Sequence, residues 1–211
     1  MDTSTRALER ALRDQRLLEH PFYRRWEAGQ LSENELRDYA EQYRFFERML
    51  PEFLAELAER LPAGAARAAI EANLADEVGP PSHVEIFEDF AAHYGADAAA
   101  AGEAVMALQR AYRRGLDDGP VAAVAGLLAY EAQGADIART KSVGLREHYG
   151  ATEDATRFWQ LHGELEAHHA SWSLDALASL DGDPELIEAA AARVAGAWWA
   201  FLDEREAFAA S

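Results

Sequence analysis

LSENELRDYAEQYRFFERMLPEFLAELAERL, residues 31–61, reads as one long helix. Ser32 followed by Glu35 is the reciprocal capping pattern that opens a helix: the serine oxygen accepts from one early amide and the glutamate reaches back to another. Alanine, leucine, glutamate and arginine, all strong helix formers, dominate the rest of the stretch. Pro51 has no amide hydrogen and is expected to kink this helix or divide it. Pro62-Ala-Gly64 ends it. The same texture continues along the chain, with no alternating run of β-branched residues that would signal a strand. Helices are expected near Ala65–Val78, Ser82–Tyr94, Ala98–Gly115, Pro120–Tyr149 and Thr152–Leu180, and from Pro184 to about Ala209. Gly79-Pro80-Pro81 and Gly95 separate the early ones, and the DDGP at 117–120 and DGDP at 181–184 read as interhelix turns. The expectation is an all-α bundle of seven or eight helices, with residues 1–211 forming a single domain.

The composition narrows the possible functions. The chain has 211 residues, 49% hydrophobic and 27% charged, enough for a real core. Acids outnumber bases 38 to 20, a formal charge of −18. Phosphates would be repelled, which argues against nucleic acid or an anionic membrane as partner. Cysteine is absent, so disulfides, thiolate metal sites, iron–sulfur ligation and cysteine nucleophiles are excluded together. MDTSTRALERALRDQ has no apolar signal-peptide core, and the longest apolar stretch, Val121–Tyr130, is about half of a bilayer span. A cytoplasmic protein is expected. Of the 20 basic residues 19 are arginine, and Lys141 is the only lysine.

His162-Gly-Glu-Leu-Glu166-Ala-His168-His169 is the segment richest in chemistry. At about 100° per residue, His162, Glu166 and His169 return to nearly one azimuth of a helix. Leu161, Leu165, Trp172 and Leu174 nearby can pack in a core. The stripe is then either a solvated polar face or, if it is buried, a set of side chains that need a partner such as a metal ion. Glu131 lies in the apolar stretch Leu127-Leu-Ala-Tyr-Glu131-Ala132, so it is either half-exposed or held by something. Glu77 and His83 flank the Gly79-Pro80-Pro81 break. Together the six are three carboxylates and three imidazoles, a donor set that suits two iron or manganese ions between facing helices.

Several segments carry a family resemblance. His20-Pro-Phe-Tyr23-Arg-Arg-Trp26-Glu-Ala-Gly29-Gln-Leu31 is similar to the HPFYxxWxxGxL signature of the Chlamydia protein associating with death domains (CADD) family. Four more segments agree in order: Tyr39-Ala-Glu-Gln-Tyr43; Asn73-Leu-Ala-Asp-Glu77 with His83; Ala129-Tyr-Glu131-Ala-Gln133 with Lys141 and Gly144-Leu145; and Tyr149-Gly150 leading to Phe158, His162, Glu166 and His169. The likeness covers about residues 17–178. It implies a heme-oxygenase-like helical fold without heme, and a dimetal oxidase or oxygenase whose ligands are Glu77, His83, Glu131, His162, Glu166 and His169. The cofactors it implies are two ions, Fe/Fe or Fe/Mn, with dioxygen and an external reductant. The family makes 4-aminobenzoate for folate from one of its own tyrosines, with a lysine supplying nitrogen, and the matching positions are Tyr23 and Lys141. The chain departs from the family pattern in three places. The Glu77–His83 interval is one residue shorter than usual and holds two prolines. Glu166 stands where aspartate is usual. Gly134-Ala135 replaces a common proline.

Lys141 carries weight apart from the resemblance. A chain that otherwise uses arginine has little need of lysine for solubility, and only an amine can deprotonate to act as nucleophile or nitrogen donor. Ten residues is about 1,000°, some 80° off the Glu131 direction, so both side chains face one cavity only if it is broad or the helix bends. Tyr23 is by its residue type alone a packing tyrosine whose hydroxyl finds a partner. Tyr39, Tyr43 and Tyr130 are alternatives at helical spacings. His20 is expected to cap or pack beside Pro21, and His93, His148 and His168 to lie on the surface. Trp198-Trp199 with Phe201 and Phe208 reads as core or as the contact of a homodimer.

Three functions are weighed. The first is a dimetal oxygenase of the 4-aminobenzoate-synthase type that consumes its own Tyr23 and Lys141. The second keeps the metals and takes a free small molecule, an amino acid or fatty acid. The third is a non-enzymatic helical interaction module.

Overall fold

The computed structural model describes residues 3–209. Among these are nine α-helices and no strand: α1 (Thr3–Leu12), α2 (Pro21–Glu27), α3 (Glu33–Arg60), α4 (Ala65–Val78), α5 (His83–His93), α6 (Glu103–Asp118), α7 (Pro120–His148), α8 (Glu153–Ser179) and α9 (Pro184–Ala209), with a 3₁₀ turn at Leu17–Glu19 before α2. The all-α expectation stands. The count of seven or eight was low because α1 and α2 precede the segments read as helical. The first is short, and the second is a seven-residue helix that Pro21 starts and the His20 ring caps by accepting from the Phe22 amide at 3.1 Å.

The long helix α3 begins as its sequence dictates, with both halves of the Ser32–Glu35 capping box formed. Ser82 and Glu85 repeat the device at the start of α5. Pro51 does not divide α3, which runs on to Arg60. The amide hydrogen that Pro51 lacks is the one that would have bonded the Glu47 carbonyl. Apolar packing of Leu50, Phe53, Leu54 and Leu57 holds the helix together across the gap. The helix expected from Ala98 starts only at Glu103, with Gly102 as its cap.

One cluster of buried apolar side chains runs through the molecule. α7 is its axis, packing against α8, α9 and α6 and touching α1, α2 and α3. Every residue from Ala122 to Glu131 is buried, so this half of α7 is enclosed on all sides, as an internal helix must be. Ala122, Ala123, Ala125, Gly126 and Ala129 keep it thin enough for neighbours to close around it. Trp198 and Phe201 are core, as read, while Phe208 is exposed. No described helix is long and apolar enough to cross a membrane.

Candidate metal centre

Four helices converge on one buried polar cluster. α4 ends with Glu77 on its last turn, α5 opens with His83, the enclosed half of α7 carries Glu131, and α8 presents His162, Glu166 and His169. The proline break therefore lets two helix ends meet instead of holding Glu77 and His83 apart. All six residues are between 1% and 6% exposed. The α8 stripe is internal, so its polar groups need partners.

Ligand atoms of Glu77, His83 and His162 lie within 4.8 Å of one another. The His83 and His162 rings are 4.5 Å apart between centroids. His83 Nδ1 comes within 2.9 Å of Glu77 Oε2, in an orientation that makes no hydrogen bond. The shortened interval thus still delivers His83 to its expected neighbours. Glu77, Glu131, His162, Glu166 and His169 together line a cavity of about 10 Å³, closed by Tyr43, Phe46, Glu47, Leu50, Tyr112, Leu127 and Tyr130.

The surroundings orient the ligating atoms. His162 Nδ1 lies 2.9 Å from the Phe158 carbonyl, which can only accept, so Nδ1 carries the proton and Nε2 keeps its lone pair. His169 Nε2 meets Asp76 Oδ2 at 3.2 Å, which leaves Nδ1 free. Asn73 donates to Glu131 Oε1 at 2.6 Å. Asn73 and Asp76 stand one turn and one residue before Glu77 on the same helix, so α4 supplies both a candidate ligand and the groups that position two others.

What is left over makes the site unusual. Oε2 of Glu77, Glu131 and Glu166 and Nδ1 of His83 are buried and have no hydrogen-bond partner. Burial pushes the Glu131 carboxyl up to about 7, against the nearby Ser173 hydroxyl and the hydrogen bond from Asn73, which pull it down. Burial first, and then the neighbouring acids Glu131, Glu77 and Glu47, push Glu166 well above the ordinary carboxylate range. Burial and the nearby His83 hold His162 well below its ordinary value, in the neutral form that ligates metals. Buried acids that repel one another and lack donors fit a divalent cation, and oxygen and nitrogen donors suit iron or manganese.

Gly134 explains two departures from the family pattern at once. It lies three residues after Glu131 on α7, and a Cβ there would stand 2.7 Å from Glu166 Oε2 and 2.8 Å from its Cδ. Glutamate is one methylene longer than aspartate, and a residue without a side chain gives that extra length its space.

Tyr23 and Lys141 do not line this cavity. Lys141 is fully buried in an aromatic box: Nζ lies 3.7 Å from the Trp159 ring centre, 4.7 Å from Tyr43, 4.9 Å from Tyr39 and 5.1 Å from Tyr23. It donates to the Tyr39 hydroxyl at 2.5 Å, and that hydroxyl meets the Tyr23 hydroxyl at 3.2 Å. Burial lowers the Lys141 ammonium well below its ordinary value and raises the Tyr23 phenol above its own. The angular offset from Glu131 is real: the two α7 side chains face different compartments, with the Tyr43 ring between them. Tyr43 stacks on Tyr39 with ring centres 5.3 Å apart, and its hydroxyl reaches the Tyr130 hydroxyl at 3.1 Å. His20 caps α2 as expected, and His93, His148 and His168 are exposed.

Sequence reading missed Glu47, Asp76, Ser173 and the box wall Trp159. For Glu47 a signal existed. It falls one turn after Tyr43, between Phe46 and Leu50, on the apolar side of α3.

Comparison with known proteins agrees with this geometry. Residues 37–202 match the model of a family described as iron-containing redox enzymes. The 4-aminobenzoate synthase of Chlamydia pneumoniae is 30% identical over 205 residues, covering 92% of this chain and 91% of that protein. The 4-aminobenzoate synthase of Nitrosomonas europaea is 30% identical over 222 residues, covering 96% and 90%. A solved CADD-like protein of unknown function from Nostoc punctiforme superposes with a TM-score of 0.78 at 21% identity, over 99% of this chain and 97% of that one.

Proposed function

Because the chain belongs to the family of iron-containing redox enzymes, we propose that it is a 4-aminobenzoate synthase that consumes itself, with Tyr23 supplying the ring and Lys141 the nitrogen. Glu77, His83, Glu131, His162, Glu166 and His169 would hold two ions, Fe/Fe or Fe/Mn. When bound, these ions supply the redox chemistry toward dioxygen that no side chain performs unaided, with electrons from an external reductant. One observation carries the reading: the only lysine is sealed from solvent with Nζ 2.5 Å from the Tyr39 hydroxyl and 5.1 Å from the Tyr23 ring centre.

The chain's own residues do the rest. Burial in the box pushes the Lys141 ammonium toward the neutral amine, whose Nζ lone pair a guanidinium lacks. Tyr39 accepts from Nζ and can pass its own proton to the Tyr23 oxygen, linking amine and phenol through one hydroxyl. Tyr43 joins this box to the ligand cavity with its ring on one side and its hydroxyl on the other. A cavity of about 10 Å³ holds roughly one water, which supports a substrate already inside the protein over a free amino acid or fatty acid.

The test is peptide mass spectrometry of the full chain after incubation with ferrous or manganous ion, reductant and oxygen. Altered mass at Tyr23 and Lys141, with 4-aminobenzoate released in proportion to altered chain, is expected. Unmodified protein that forms product through many turnovers, or a Tyr23→Phe variant that still forms it, overturns the self-consuming reading in favour of a free substrate.

A further inference from the structure

α3 contributes none of the six proposed ligands, yet it turns one carboxylate into their cavity. Glu47 is 1% exposed and lines that cavity beside Glu77, Glu131 and Glu166. Its Oε2 has no hydrogen-bond partner. The arginines that flank it on α3 are spoken for elsewhere: Arg44 reaches Glu88 at 2.9 Å and Arg48 reaches the same carboxylate at 3.3 Å. Tyr43, one turn earlier, is the neighbour whose hydroxyl approaches the carboxylate.

Charge counting gives this acid a purpose. Two divalent ions bring four positive charges into a closed interior. Glu77, Glu131 and Glu166 return three, and neutral imidazoles return none. A net charge left in a dry interior is expensive, and one more carboxylate cancels it. Four buried acids in one cavity is the arrangement that neutralises two such ions.

We propose that Glu47 is a seventh protein ligand to the two-ion centre, the fourth carboxylate that brings its charge to zero. This rests on the reading of the other six as ligands. Glu47 then differs in kind from Asn73 and Asp76, which act through the ligands they hold. The second ion depends on it most, because that ion enters a site already carrying the charge of the first.

Anaerobic titration of the full chain with ferrous or manganous ion, read by calorimetry and by elemental analysis after desalting, tests the assignment together with melting of the metal-free protein. Wild type is expected to take two equivalents. Glu47→Gln should keep the first and weaken the second by more than about 10-fold, the lower end of what loss of an outer hydrogen-bond partner does to a metal site. Glu47→Asp, which keeps the charge but shortens the reach, should fall between. Metal-free Glu47→Gln should melt higher than metal-free wild type, since a buried carboxylate with an unpartnered oxygen is gone; a merely structural glutamate would give the opposite shift. Tyr43→Phe, which removes only the hydroxyl neighbour, should bind both ions normally. Glu47→Gln that takes two ions with wild-type affinity overturns the proposal and leaves the six-ligand reading standing. Wild type that takes no pair of ions overturns the six-ligand reading itself. Should Glu47→Gln fail to fold, Glu47→Asp decides by the same titration: unchanged affinity for the second ion overturns the proposal.

Discussion

The ligand cavity and the lysine box are adjacent, share α7 and are equally buried, but they are finished to different degrees. In the box the reactive heads find partners inside the chain: Lys141 on Tyr39, Tyr39 on Tyr23, and the Trp26 indole on the Lys141 carbonyl at 3.3 Å, while the Trp159 indole nitrogen stays unpartnered. In the cavity the acids Glu77, Glu131 and Glu166 each keep an oxygen with nothing to bond. Unpartnered carboxylate oxygens clustered in one cavity fit a partner from outside the chain. The box therefore encloses two reactive side chains whose own heads are paired, and the cavity is a socket. If that contrast is right, perturbing the box should change chemistry while leaving metal binding alone, and perturbing the socket should do the reverse.

The sharpest way to break it is at Lys141. Lys141→Arg places a cation that cannot deprotonate in a site without a counter-ion, and is expected to lower stability by about 3–5 kcal/mol and abolish product. Lys141→Met should also abolish product, yet melt at or above wild type and bind metal normally. Denaturation curves with metal titrations check both, and a Lys141→Met variant that loses metal binding would merge the two regions into one.

Metal is next in size. A divalent ion at a thousand times its dissociation constant stabilises by about 4 kcal/mol, so chelation should lower the melting temperature substantially. The loss should concentrate where α4 meets α5, because the proline break prevents continuous helix from bridging Glu77 and His83. Hydrogen exchange across residues 76–86 should accelerate on chelation while the segment around Lys141 stays protected. Equally slow exchange at 76–86 with and without metal would count against the socket.

A smaller effect probes the fit inside the cavity. Gly134→Ala pushes a methyl group into Glu166 and is expected to cost about 1–3 kcal/mol in the metal-bound protein. The double change Gly134→Ala with Glu166→Asp should recover most of it, since the shorter acid leaves the space the methyl needs. Independent, additive losses in the double variant would show that the two positions are not a matched pair.

The gentlest test uses pH. Burial lowers the Lys141 pKa in the folded protein, so between that value and its ordinary value of about 10.4 the unfolded chain binds more protons than the folded one. Stability should accordingly rise with pH across this window, by at most about 1.4 kcal/mol per unit, and Lys141→Met should remove that slope. A slope that survives the substitution belongs to another group.

How far the sequence carried these conclusions varied by element. Ser32 with Glu35 announces one helix start because capping is settled within four residues, and the structure shows Ser82 with Glu85 repeating the device. α1 and α2 went unread because they are short, and packing against α9 and α7 sustains them. Pro51 leaves α3 undivided because one missing hydrogen bond is small beside the burial of the residues around it. In the site, the His162–Glu166–His169 stripe was visible as helical spacing, and Lys141 as a compositional anomaly. Glu131, Glu77 and His83 are ambiguous singly, and Glu47 belongs to no motif.

Local order, then, was written in the chain: helices, their caps, the break at Gly79-Pro80-Pro81, and one ligating stripe all come from contacts between residues a few positions apart. Which atoms face one another across distant parts of the chain was decided by the packing of α3, α4, α5, α7 and α8 around one cavity. Only that packing put Lys141 in a different compartment from Glu131, matched Gly134 to Glu166, and left four buried acids each with an oxygen that nothing in the chain completes. The reason is that helical periodicity sets a side chain's direction on its own helix, but not what the neighbouring helix brings to meet it.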